Sequence, residues 1–416
     1  MTKASKLQSL LIHKEPLLSL FVLFSLTLYV YAKIWTNTDQ LGQASPQDPP
    51  IVTLTLILFL VASVCRSLLR WRTLKLLVQT YNFYLFLLLA LFAVLFYRVT
   101  GISTFILGAI AGFALQDERP HAVILGGGLI ALFFYTIHII AYSCGLINDQ
   151  LNANWTRQSS NGETISRLAL GFCYPTRAFA FLLPACFAVY YLNKSLLKKA
   201  LVALCACYAL IVFIFTNTKT SLIILIALLF GPLIEKILQK ERFLSYLAMA
   251  SYPILYLMSL ILTLTAGSNW NGIVNRLLSW RPGFWLKYIN GGINFIGMSD
   301  TNRQLQKLSN PLDNYFLSPL ISGGIAISVF LIIWNVIFMY LAYRNRNFKL
   351  IVMVLIFELY GMSESQIQPV IMVFLPLLFS FVFSKTALDD SDFFRYELQT
   401  EDTFSRNQIN RHTSSH

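Results

Sequence analysis

The sequence predicts an all-α fold, a polytopic bundle of transmembrane helices. Hydrophobic residues make up 56% of the 416 residues, charged residues make up only 12%, and the mean hydropathy is +0.62. Soluble domains carry about 25% charged residues, so this chain has too few charged side chains to cover a globular surface. Its apolar residues also fall in runs that are long enough to cross a bilayer.

The apolar runs predict about twelve spans. We place them near residues 17–34, 51–69, 80–98, 101–115, 121–143, 168–192, 198–215, 219–238, 243–266, 313–343, 349–361 and 365–384. The segments 101–115 and 349–361 are short for a complete crossing, so each is either tilted or re-entrant. No small-residue cleavage site follows the first span, and we expect that span to be retained.

The distribution of Lys and Arg predicts the orientation of the spans. Positive residues gather in the cytoplasmic connections of membrane proteins. With the N-terminus placed in the cytoplasm, 18 Lys and Arg residues fall on the inner side and 11 on the outer side. We therefore expect a multi-pass protein with both termini in the cytoplasm. The same bias accounts for the net charge of +13, and we expect no nucleic-acid partner.

The positive residues on the outer side are not explained by this bias. The most informative of them are Arg167, Arg177, Lys219, Arg276 and Arg281. Arg177 falls inside the predicted span 168–192, where an arginine costs about 2.5–3.5 kcal/mol at the helix centre. It either faces the bundle interior or extends to the interface as an anchor. Several cations on one outer face would suit a diphosphate or another multiply charged anion.

Carboxylates are few on the outer side. Asp313 stands at the head of the predicted span 313–343, and Glu364 separates two apolar runs. Asp313 either stabilises the N-terminus of the following helix or acts as a general base. Glu358 is predicted to lie within the membrane, where an ionisable residue is a functional candidate by default.

Metal and nucleotide chemistry find little support in the sequence. His121 and His138 have no Cys or carboxylate at ligand spacing, and the six cysteines form no CxxC pair, so we expect no metal. No Walker motif and no GxGxxG is present, and we expect no cofactor. The glycine run 126–128 predicts close packing between helices rather than a phosphate loop.

Five motifs between residues 160 and 385 resemble those of a known family and follow the same order, the third of them in two parts, 278–281 and 292–297. They are 167–176, with Tyr174 and Thr176 in place of His and Asn; 215–221, with Lys219 in place of Arg; 278–281; 292–297; 312–316, which contains Asp313 and Asn314; and 361–365, which contains Glu364. The family is that of the Wzy-type polysaccharide polymerases of Gram-positive bacteria, which are related to the O-antigen polymerases and ligases. The resemblance covers residues 160–385.

The resemblance implies a membrane glycosyltransferase. Oligosaccharide repeat units carried on undecaprenyl diphosphate would be polymerised into surface polysaccharide, such as exopolysaccharide or capsule, on the outer face of the bacterial cell membrane. The reaction would be inverting and metal-independent. Arg167, Lys219, Arg276 and Arg281 would bind the diphosphate, Asp313 would be the base with Glu364 as the second choice, and Tyr174, Arg177 and Asn314 are further candidates.

The implied partners are the lipid-linked oligosaccharide and the bilayer, with a chain-length regulator and a flippase as candidates. Two alternatives stay open. An O-antigen-ligase-like enzyme would move the glycan from the same carrier to another acceptor. A transporter or flippase of lipid-linked sugars would perform no chemistry and would show inverted repeats. The large outward loop occurs only in the second half of the chain, which argues against such repeats and therefore against a transporter.

The chain is therefore predicted to have three parts. Residues 1–160 form N-terminal transmembrane scaffold helices. Residues 161–385 form the catalytic transmembrane region and include one large extracellular loop, residues 267–312, between the late spans. Residues 386–416 are polar and low in apolar content, and we expect a disordered cytoplasmic tail.

Overall fold

The computed structural model describes residues 15–36, 49–68, 81–100, 103–116, 118–148, 155–158, 164–172, 174–192, 196–266, 281–307, 312–362, 364 and 376–379. The helices are α1 (Glu15–Trp35), α2 (Pro50–Leu68), α3 (Tyr81–Thr100), α4 (Thr104–Ala114), α5 (Pro120–Ser143), α6 (Pro175–Tyr191), α7 (Leu196–Thr216), α8 (Lys219–Lys240), α9 (Arg242–Met249), α10 (Ser251–Leu264), α11 (Arg281–Asn290), α12 (Asp300–Lys307), α13 (Leu317–Gly323), α14 (Ile325–Arg344) and α15 (Phe348–Gly361). Strands β1 (Trp155–Gln158) and β2 (Thr164–Arg167) pair antiparallel.

Six of these helices are long and apolar enough to cross a membrane by themselves. They are α1, α2, α5, α7, α8 and α14, and the pair α9–α10, which bends by 61°, would make a seventh span. This confirms the prediction of a helical, polytopic membrane protein. The predicted count of about twelve is not confirmed among the described residues. Helices α4, α6 and α15 are shorter, the side chains of α3 are described continuously only over Leu87–Thr100, and most of the span predicted at 365–384 lies outside the described residues.

Two predicted spans begin later than hydropathy indicates. The helix predicted from residue 168 begins at Pro175, because proline suits the first turn of a helix, and Leu170 and Gly171 have φ of +54° and +80°. The span predicted at 313–343 is divided into α13 and α14 by Gly324, whose φ of +90° ends the first helix.

The bundle is centred on α6, which is buried along nearly its whole length. Helix α5 packs closely against it at Gly128, where an added Cβ would lie 2.4 Å from Ala188 Cβ and 2.5 Å from the Pro184 carbonyl oxygen. The close packing predicted for the glycine run 126–128 is therefore confirmed.

A second, smaller apolar cluster holds the described part of the predicted outward loop. Trp285 and Tyr288 of α11 are fully buried against Leu317, Leu320 and Ile321 of α13. The loop therefore contains a helix that is packed on the bundle, a feature that its mixed composition did not predict.

Candidate functional site

One arginine joins two acidic residues from distant parts of the chain. Arg281 Nη2 lies 3.3 Å from Glu364 Oε1 and 3.6 Å from Asp313 Oδ2. The side chains of Arg281 and Asp313 are 18% and 26% exposed, whereas that of Glu364 is 1% exposed. We call Arg281, Asp313 and Glu364 the arginine–carboxylate cluster. Two of its members can be reached from solution, and the third is enclosed.

Arg281 is positioned by the helix that it begins. Arg281, Trp285 and Tyr288 follow the spacing i, i+4 and i+7, which places them on one face of α11. Since Trp285 and Tyr288 are packed on α13, the guanidinium group on the same face is directed to the chain segment that leads into α13. That segment contains Asp313.

Asn314 shapes the turn beside Asp313. Its Oδ1 accepts hydrogen bonds from the backbone amides of Phe316 (3.0 Å) and Leu317 (2.9 Å) at the start of α13. Asn314 thus supplies the N-terminal capping interaction. The capping alternative for Asp313 is not what the structure shows, because the Asp313 carboxylate pairs with Arg281 instead.

A close contact between two turns brings the two carboxylates together. The amide of Tyr315 donates to the carbonyl of Gly361 at 2.7 Å, and Asn314 Nδ2 donates to the carbonyl of Met362 at 3.2 Å. A Cβ added at Gly361 would come within 2.8 Å of Tyr315 Cβ, so only glycine allows this approach without movement. Glu364 follows two residues after Met362 and is thereby held beside Asp313.

Burial raises the pKa of Glu364 to about 7. The neighbouring Asp313 charge acts in the same direction, while Arg281 and the Thr176 side chain oppose the shift. Burial likewise raises the pKa of Asp313, against the opposing charge of Arg281. The cluster therefore holds one permanent cation and two carboxyl groups, of which Glu364 titrates near neutral pH.

The start of α6 lies beside the same cluster. Arg177 is in the first turn of α6 and is 1% exposed, and its guanidinium carbon lies 5.5 Å from the centre of the Tyr174 ring. The Tyr360 hydroxyl, near the end of α15, reaches the Thr176 carbonyl oxygen at 3.5 Å. Arg177 is thus at a helix end and faces the bundle interior, so the interfacial-anchor alternative is not observed.

Arg167 belongs to a neighbouring arrangement. Its Nε donates to the carbonyl oxygen of Thr216, and the amide of Leu168 donates to the carbonyl of Phe215 at 2.9 Å. The end of β2 is therefore bound to the connection between α7 and α8. Lys219 is the first residue of α8, so the structure brings these two predicted motifs together. The side chain of Lys219, and Arg276 as a whole, lie outside the described residues.

His138 has a structural role that the sequence did not predict. Its Nδ1 accepts a hydrogen bond from Trp35 Nε1 at 3.1 Å, so a neutral ring carries its proton on Nε2, which lies 3.0 Å from the Leu170 carbonyl oxygen. The ring thereby supports the positive-φ turn of Leu170 and Gly171 before α6. Among the described residues, no group of three or more His, Cys, Asp and Glu side chains could hold a metal ion.

Sequence reasoning named Thr176 only as a departure from the motif, and it missed Tyr360 and Ser259. The Oγ of Ser259 accepts a hydrogen bond from Asn314 Nδ2 at 3.1 Å. Tyr360 directly precedes the segment 361–365, and that position was its only signal in the sequence. Ser259 lies within an apolar run, and no feature of the sequence marked it as a candidate. No family model, curated protein or solved structure matches the chain.

Proposed function

We propose that this protein is a membrane glycosyltransferase that polymerises lipid-diphosphate-linked oligosaccharide repeat units into surface polysaccharide. The observation that carries the proposal is the arginine–carboxylate cluster, in which Arg281 Nη2 lies within 3.6 Å of both carboxylates. Its three members come from three separate segments of the motif order described above. A cation and an accessible carboxylate side by side are what the reaction requires at the diphosphate and at the acceptor hydroxyl.

The acceptor hydroxyl attacks the anomeric carbon of the donor chain. As the new C–O bond forms, the bond between that carbon and the diphosphate breaks, and the diphosphate leaves with the electron pair. Arg281 stabilises the negative charge that develops on the leaving group. Arg167, Lys219 and Arg276 are the further cations proposed for the diphosphate, with Lys219 acting as a point charge and not as a bidentate group.

The base in this mechanism is Asp313 rather than Glu364. Asp313 is about one quarter exposed, so an acceptor hydroxyl can reach it, whereas Glu364 is 1% exposed and is enclosed behind Arg281. Asp313 takes the hydroxyl proton. Glu364 is assigned as a positioning residue, which holds the guanidinium group in place.

The cluster also accounts for the entry of a negatively charged substrate. Two ionised carboxylates would repel a diphosphate at this distance. Because the pKa of Glu364 is about 7, a proton on Glu364 lowers the negative charge and loosens its hold on Arg281. The diphosphate then replaces a carboxylate as the partner of Arg281, which leaves Asp313 free to act as the base.

The test is Asp313→Asn, with Asp300→Asn as the matched control. Asp300 is an exposed carboxylate at the start of α12, in the same predicted loop. In cells that lack the native protein, we expect Asp313→Asn to abolish long surface polysaccharide while single repeat units accumulate on the carrier at the outer face. We expect Asp300→Asn to keep the normal chain lengths.

Other outcomes would contradict the polymerase. Long chains retained in cells that carry Asp313→Asn would overturn it. Full-length polymer held on the lipid carrier and missing from its final acceptor would indicate the ligase. Repeat units trapped on the inner face would indicate the flippase, which needs no base.

A further inference from the structure

Two large apolar side chains are exposed in the described part of the predicted outward loop. Phe295 is 70% exposed and Ile296 is 45% exposed. They lie in residues 294–297, which are part of the connection between α11 and α12 and which we call the apolar tip. Exposed phenylalanine beside exposed isoleucine is unfavourable in water, since apolar surface gains free energy when it is removed from water.

The apolar tip is bound to the broken span. The carbonyls of Asn294 and Phe295 accept hydrogen bonds from the amides of Ile325 (3.1 Å) and Ala326 (3.0 Å), the first two residues of α14, and the amide of Gly297 donates to Gly323 at 2.8 Å. The tip therefore satisfies backbone groups that the break in the span would otherwise leave unpaired. Its position relative to α14 is set by these bonds.

The backbone at Gly324, where the span is broken, also lies in close contact with the apolar tip. A Cβ added at Gly324 would lie 2.7 Å from the Phe295 carbonyl oxygen and 2.8 Å from that of Asn294. Gly324 also has φ of +90°. Glycine is thus required twice at this position, once for the backbone conformation and once for the contact with the tip.

The length of α14 gives the depth of the tip in the membrane. The helix has 20 residues, which corresponds to about 30 Å and equals the thickness of the hydrocarbon core, about 30 Å. It ends at Arg344, a residue that favours the interface. Its first turn, to which the tip is bound, therefore lies at the opposite interface.

The apolar surface of α14 continues into the tip. One stripe of this helix is exposed at successive turns, at Ile325, Val329, Ile333, Ile337 and Tyr340, each between 41% and 54% exposed. In a membrane-spanning helix such a stripe faces lipid. The backbone of the apolar tip is bound beside Ile325, where the stripe begins, so lipid that covers the stripe is adjacent to the tip.

We infer that the apolar tip is a membrane anchor, which inserts Phe295 and Ile296 into the interfacial region of the adjacent leaflet. The segment on its other side is polar: α12 exposes Arg303 and Gln304. One loop thus places an apolar edge in lipid and a polar helix in water. The anchor holds α11, and with it Arg281, against the membrane surface. The inference does not depend on the proposed reaction.

The experiment measures the depth of single residues in lipid nanodiscs. Nitroxide labels are attached at Phe295→Cys and Ile296→Cys in the full chain with its own cysteines replaced. Ile333→Cys serves as the mid-span reference and Gln304→Cys as the water-exposed reference. Collision with oxygen, which concentrates in lipid, is compared with collision with a water-soluble nickel chelate.

We expect the labels at 295 and 296 to collide more with oxygen and at least fivefold less with the chelate than the label at 304. Collision rates at 295 and 296 equal to those at 304 would overturn the proposal that the tip is a membrane anchor. Low collision with both reagents, together with spin–spin broadening, would show a second copy of the chain on the tip and would also overturn it. Both positions are exposed, so the labels leave the core intact, and equal melting temperatures check this.

Discussion

Two arginines at opposite ends of the bundle are bound in contrasting ways. Arg66, in the last turn of α2, donates from Nη2 to Glu118 Oε1 at 3.2 Å and from Nε to Ser19 Oγ at 2.9 Å. Ser19 Oγ in turn donates to Glu118 Oε1 at 2.6 Å. This group contains one cation and one carboxylate, so its charge is balanced. The arginine–carboxylate cluster contains one cation and two carboxyl groups.

The two groups lie on either side of the membrane-spanning α5. Glu118 immediately precedes α5, whereas His138, near its other end, contacts Leu170 in the turn that leads to α6 and to Thr176. The 24 residues of α5 span about 36 Å. Arg66 is 1% exposed and Arg281 is 18% exposed. Glu118 is 20% exposed, so only the arginine of the first group is enclosed. The balanced group with an enclosed arginine serves the fold, whereas the proposed function needs the accessible arginine of the cluster to exchange a carboxylate for the substrate.

The largest effect is expected from removing the enclosed arginine of the Arg66–Glu118 pair. Arg66→Met leaves Ser19 and the partly exposed Glu118 without their cation, and losing one partner of a buried ion pair costs at most about 3–5 kcal/mol. We expect a large fall in the melting temperature of the detergent-purified protein. Arg66→Met combined with Glu118→Gln should recover most of the melting temperature, because no carboxylate is then left without its cation.

Arg98→Met is the control for this comparison, since Arg98 is an exposed arginine in the last turn of α3. It should leave the melting temperature nearly unchanged. If Arg66→Met had the same melting temperature as Arg98→Met, the Arg66–Glu118 pair would not stabilise the fold.

The next effect tests the accessible cluster. Arg281→Lys replaces a group that bridges two carboxylates by a single ammonium, and we expect polymer formation from lipid-linked repeat units in proteoliposomes to fall by about 10²–10³-fold, as for the loss of one transition-state contact. The melting temperature should change little. Arg303→Lys, on the exposed face of α12, should keep full activity; equal activity of the two variants would remove Arg281 from the mechanism.

Glu364 should make the stability depend on pH. Its pKa rises from an ordinary 4.5 to about 7 in the folded protein, so between these values the folded state holds a proton that the unfolded chain has released. Stability therefore falls by about 3 kcal/mol as the pH rises through this window, and it levels off above pH 7. Glu364→Gln should remove this part of the dependence of the melting temperature on pH, and Glu241→Gln, at an exposed site, should not. If the melting temperature depended on pH in the same way in both variants, Glu364 would not be the group that titrates.

The smallest effect concerns the contact between the two turns. Gly361→Ala places a methyl group against Tyr315 Cβ, and such overpacking costs about 1–3 kcal/mol. Because the contact sets the distance between Asp313 and Glu364, activity should fall more than stability does. Gly283→Ala is the control, since an added Cβ there meets no atom within 4 Å. Equal activity of the two variants would show that the turn contact does not position the cluster.

Much of the fold class could be predicted from hydropathy, because a bilayer imposes the same length and apolarity on every span. The boundaries at Pro175 and Gly324 were displaced by several residues, since an average over many residues does not register one proline or one glycine. Asp313, Glu364 and Arg281 were each chosen from the sequence as polar residues on the predicted outer side and within the motif segments. Their pairing was not predicted, because 32 and 83 residues separate Arg281 from its two partners.

The sequence by itself thus determined that the chain is a helical membrane protein with a small set of polar residues on one predicted side. Hydropathy and charge are local properties, and they suffice for that result. The tertiary structure decided which polar residues meet: Asn314, and not Asp313, caps α13; Glu364 is enclosed while Asp313 is accessible; and the apolar tip completes a broken span. Each of these depends on contacts between distant segments, which no local pattern encodes.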